Sequence, residues 1–130
     1  MGSGDAVTFV STEEVPEDST AIIDFDLQDA ADAMVPLTNI TAATLEITVE
    51  KTQEIIRISF SVLSNYDANG HFTYVVPFGD NVIVSKALPV PTTEDHVVKV
   101  VTDFTVASIA QRKTRNYRLT IRDNTAAVIP

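Results

Sequence analysis

A chain of 130 residues is long enough to bury one real core and too short for two comfortable ones. Its apolar share of 45%, drawn more from Val, Ile, Leu and Phe than from Ala, excludes a disordered chain, and the lack of cysteine excludes disulfides, a thiolate zinc site and a cysteine nucleophile. A net charge of −9 argues against a nucleic-acid partner, because phosphate neutralisation needs a basic face.

Residues 1 to 6 read as a flexible N-terminus whose MGSG is set aside from the fold argument, and 7 to 130 as a single β-sandwich domain. Period-2 alternation dominates, and no i, i+3, i+4, i+7 stripe runs for three turns. After a weak strand at "AVTFVST", the segment "TAIIDFDL" alternates Ile23, Phe25 and Leu27 inward against Ile22, Asp24 and Asp26 outward. "ATLEITVEK" repeats the pattern with Leu45, Ile47 and Val49 inward. A turn around Lys51 to Gln53 leads into "EIIRISFSVLS", where Ile56, Ile58, Phe60 and Val62 share the inward parity.

Asn69-Gly70 predicts a tight turn, since both residues tolerate positive φ, and a new strand near His71. Pro77 removes a ladder donor, so "HFTYVVPFGDNVIV" is an edge strand or two short strands broken at Pro77 to Asn81. "KALPVPTTED" is a proline-marked crossover between sheets. "HVVKVVTDFTV" then places Val98, Val100, Thr102, Phe104 and Val106 on one parity, and "NYRLTIRD" does the same with Tyr117, Leu119 and Ile121. Between them "ASIAQRKTR" has a helical look but is short enough for a loop or hairpin. Seven or eight strands at this spacing predict an all-β, two-sheet antiparallel sandwich.

Four carboxylates, Asp24, Asp26, Asp29 and Asp32, crowd one short stretch with no base. Scored as an EF-hand loop from Asp24, position 5 is Gln28, position 6 is Asp29 and position 12 is Val35, so the ligand pattern fails. A looser calcium site stays open there, but the expectation is no metal and no cofactor: Asp24 and Asp26 face solvent on their strand, and Asp29 and Asp32 form a turn. No HExxH, G-x-S-x-G or phosphate-cradling glycine loop occurs, and an enzyme is not expected. No small-molecule substrate is expected either. Nor does any window approach a membrane span or a cleaved leader. Asn39-Ile40-Thr41 is a formal glycosylation sequon.

"STAIIDFDLQDAADAMVPLTNITAATLEI" resembles the opening of small immunoglobulin-like proteins encoded among the structural genes of tailed bacteriophages. The matching positions are Phe25 and Leu27, the acidic turn at Asp29 and Asp32, then Pro36, Thr38, Thr44, Leu45 and Ile47. "DHVVKVVTDFTV" and "NYRLTIRDN" resemble the paired closing strands of the same proteins. The chain departs from them in having Ala30-Ala31-Asp32-Ala33 where their turn carries glycine. The resemblance implies an immunoglobulin-like sandwich made in the host cytoplasm and built into the virion at the neck, tail, baseplate or capsid surface. Its partners would be other virion proteins and copies of itself.

The charge map supplies a separate reason to expect assembly. Residues 1 to 50 hold eleven acids and no base, whereas 51 to 130 hold seven acids and all nine bases. A head-to-tail contact between Asp29 and Asp32 on one side and Arg112, Lys113 and Arg115 on the other would use that asymmetry. The alternative is an adhesion or carbohydrate-binding sandwich, which would need exposed aromatic faces in a chain without Trp.

Overall fold

The computed structural model describes residues 11–85 and 92–123, which form seven β-strands and three single 3₁₀ turns, with no α-helix among them. In chain order the strands are β1 (Ser11–Pro16), β2 (Ala21–Asp26), β3 (Ile40–Val49), β4 (Ile55–Ser59), β5 (His71–Val76), β6 (Thr93–Val106) and β7 (Ile109–Arg122). They make a five-stranded sheet in the order β1-β7-β6-β3-β4 and a two-stranded sheet of β2 and β5.

Alternation dictates which side of each strand is buried. On β3, Ala43, Leu45, Ile47 and Val49 are buried, and on β6 and β7 the buried sets are Val98, Val100, Thr102 and Phe104, and Tyr117, Leu119 and Ile121. From the smaller sheet Ala21, Ile23, Phe72 and Val76 meet them, with Leu27 completing one cluster. A two-stranded ribbon is marginal alone, so β2 and β5 depend on this packing. Two phenols tie the layers: Tyr117 Oη donates to the Asp24 carbonyl at 3.2 Å, and Tyr66 Oη lies 2.6 Å from Thr102 Oγ1.

The expected alternation of β2, β3, β6 and β7 is observed, and β5 begins at His71 and ends before Pro77. Four expectations are corrected. The pairing is not wholly antiparallel, because β1 runs parallel to β7 with Ser11 beside Tyr117 and Pro16 beside Arg122. The β4 parity fails beyond Ile56: a bulge opposite Ile47 and Thr48 makes one extra residue and flips the strand, so Ile58 is 42% and Phe60 83% exposed. The last strand starts earlier than "NYRLTIRD": of the readings open for "ASIAQRKTR" the hairpin holds, with Ala107 and Ser108, both at positive φ, as its two-residue turn and β7 running from Ile109. Finally, Asn81 to Val84 is not a strand, since the chain turns through Phe78–Asp80 after Pro77.

Residues 1–6 and most of "AVTFVST" lie outside the described residues, as do 86–91 of the proline-marked connection. β5, before it, belongs to the small sheet and β6, after it, to the large one.

Candidate interaction surface

The acidic stretch divides at the end of β2. Asp24 and Asp26 are exposed on the outer side of the small sheet, and Asp26 Oδ1 lies 2.6 Å from Nδ1 of His71, its register partner on β5. That hydrogen bond holds the His71 imidazole above its ordinary range. Asp29 turns back on its own loop, accepting the amides of Ala31 and Ala33 at 2.8 and 3.0 Å, while Asp32 takes a positive φ of 63 degrees. An antiparallel bridge between Gln28 and Met34 closes the turn. Among the described residues no group of three or more His, Asp or Glu is placed to hold a metal ion.

Strand alternation splits the basic run between two faces. Arg112 points to the outer face of the large sheet and pairs with Asp103, its register partner, at 2.6 Å. Lys113 and Arg115 share the parity of Tyr117 and turn toward the small sheet. Lys113 Nζ donates to the Gln28 carbonyl at 3.1 Å, which brings it to the acidic loop of the same molecule, and the Arg115 guanidinium lies 5.8 Å from the centre of the Phe25 ring. The acids of the first half find bases of the second half internally, as Glu50 with Arg118 and Glu14 with Arg122. Glu50 is held below its ordinary range by the Arg118 hydrogen bonds.

A buried polar pair escapes the sequence reading. Glu94 and His96 precede Val98 on the same inward parity, and His96 Nε2 donates to Glu94 Oε1 at 2.8 Å with the imidazole fully buried. The Glu94 carboxylate also accepts the Val84 and Ser85 amides at 2.8 and 2.9 Å. Burial pushes the Glu94 carboxyl up, but these three donors outweigh it and the net displacement is downward. A cleft of about 520 Å³ opens beside it, between the β3–β4 turn and the start of β6. Its central carboxylate already binds three N–H groups of its own chain, so the pair works as a clasp that holds Val84 and Ser85 against the start of β6.

The aromatic residues are mostly turned inward. Phe25 stacks on Phe72 at 4.9 Å and meets Tyr66 edge-on at 6.0 Å, with Tyr117 at 6.2 Å. Burial pushes the Tyr117 phenol up to about 12. The Asn39 amide of the sequon donates to the Thr105 carbonyl at 2.9 Å, a bond that an attached glycan would compete with.

What remains for recognition is apolar. On the outer face of the large sheet Ile58 and Phe60 stand beside Val101, Ala42 and Thr44 around a shallow groove of about 410 Å³. Glu46 and Lys99, directly opposite in register, and the Asp103–Arg112 pair border it. A smaller patch on the other sheet carries Ile22 opposite Val75, with Phe78 nearby in sequence. No helix among the described residues is long and apolar enough to cross a membrane. Neither a scan against protein-family models nor a search of curated proteins finds a match.

Proposed function

We propose that this chain is a non-enzymatic, immunoglobulin-like structural or accessory protein of a tailed-phage virion, acting through protein contacts at the neck, tail, baseplate or capsid surface. The observation that carries the reading is the outer face of the five-stranded sheet, which no other described residue covers at Phe60, a large aromatic 83% exposed beside a groove. Contiguous apolar exposure of this kind marks contact surfaces.

Two further points support it. The order β7-β6-β3-β4, faced by β2 and β5, follows the G-F-C-C′ order of variable-type immunoglobulin domains with B and E opposite. The matching positions of the phage-like opening fall at structural junctures: Phe25 and Leu27 in the core, Asp29 and Asp32 in the closed turn, and Thr44, Leu45 and Ile47 on β3. Of the five residues expected at an interface, Arg112 lies on the groove and Arg115 stands over Phe25, while Lys113 reaches the loop of Asp29 and Asp32, which would form a second, polar contact. The inward stacking of Phe25, Phe72, Tyr66 and Tyr117 favours assembly over a glycan platform.

The test is proteomics and electron cryomicroscopy of particles purified from the source cells. The chain should co-purify at a fixed copy number and appear as a β-domain on the particle. Its absence from intact particles would overturn the reading.

A further inference from the structure

We infer that a second copy of this chain docks on the outer face of the five-stranded sheet, each copy seating its Phe60 in the groove of the other. The inference rests on the assembly reading above and names its first partner.

The first ground is shape. Phe60, just beyond β4, projects from the rim of the same groove whose floor is Ala42, Thr44 and Val101. A knob and a hole side by side on one face are self-complementary under a two-fold axis, which is what an isologous dimer requires. Ile58, 42% exposed on the same rim, extends the apolar contact.

The second ground is charge. The groove is bordered by two acids, Glu46 and Asp103, and two bases, Lys99 and Arg112, so it sums to zero in a chain whose net charge is −9. The net charge of the chain opposes self-association in general, whereas this face meets itself with both signs present. The edge of the sheet offers a poorer route. β4 is five residues long and bulged, features that blunt strand-to-strand addition, so the contact is face to face.

Sedimentation velocity and light scattering across a concentration series read the outcome directly. The 14.1 kDa chain should approach twice its mass with micromolar affinity, and no further. Phe60→Asp, and Phe60→Ser as a milder variant, should remain monomeric with unchanged far-ultraviolet circular dichroism and melting temperature. Phe78→Asp, in the turn after β5 and outside the groove, should dimerise like the parent. Raising salt from low to physiological strength should tighten the dimer, since it screens the −9 self-repulsion and leaves an apolar contact intact. A head-to-tail contact between the acidic loop and the basic run would weaken instead. A parent chain monomeric at all concentrations, a growing oligomer, salt-weakened association, or equal loss in Phe78→Asp would each overturn the inference. Incorporation into particles despite such a result would leave the virion reading standing.

Discussion

At Gly70 the backbone holds φ at +88 degrees, and an added Cβ would lie 2.0 Å from the Val35 carbonyl oxygen. The Asp67 carboxylate fixes this turn by accepting the Asn69 and His71 amides at 2.8 and 3.0 Å. Gly70→Ala therefore meets both strain and collision, and should cost about 2 to 4 kcal/mol in denaturant unfolding. Next to it, His71 is a titratable residue with a defined sign. Its folded value is raised above 6.5 by the Asp26 hydrogen bond, so its contribution is whole below pH 6.5 and lost as pH rises through the folded value. Glu94 works the other way: its folded value lies below 4.5, and its contribution is present above that pH and lost on acidification. Melting temperatures of the parent should thus fall slightly above the His71 range and fall again in acid. His71→Gln should flatten the first limb only, and Glu94→Gln should reduce the second.

Among the elements, the β6–β7 hairpin shows where local chemistry and fold disagree. Ala107 and Ser108 take φ values of 51 and 68 degrees, the left-handed region that Asn and Gly adopt with least strain. Replacing them with Asn-Gly should stabilise the protein by about 1 kcal/mol, read as a rise in the denaturant midpoint. The same pair explains why the sequence leaves loop and hairpin open there: an Ala-Ser turn carries no turn signal. β2, β3, β6 and β7 were legible because each keeps strict alternation against one buried layer. β4 was not, because the bulge that turns Ile58 and Phe60 outward is set by pairing with β3 and leaves no mark on β4 itself. The exposed groove at Ile58 and Phe60 is hidden for that reason, since strict alternation assigns both residues to the core. Glu94 and His96 were hidden by type: polar residues on an inward parity read as a strand boundary until their mutual hydrogen bond is seen.

For the whole molecule, the two sheets are unequal in their own support. β6 is paired on both sides along much of its length, by β3 and by β7, whereas β2 and β5 have no other strand beside them among the described residues, and β5 adds only a single bridge from Phe72 to Tyr66. Local opening should follow that division. In native-state hydrogen exchange the amides of Ile23 and Phe72 should exchange through lower-energy openings than those of Val98, Val100 and Leu119. Equal protection of both sheets would mean that they open only together. The lengthwise charge asymmetry is partly closed in space, because Glu14 and Glu50 are bound to Arg122 and Arg118.

The parallel pairing of β1 with β7 also has a mechanical consequence. Tension applied at Ser11 and at Asp123, the ends that flank this pair, pulls the two strands in opposite directions along their common axis. The hydrogen bonds between them are then loaded together in shear, whereas an antiparallel ribbon pulled from its open end would lose its bonds singly, in sequence. The first and last described strands thus form a clamp that resists tension along this axis.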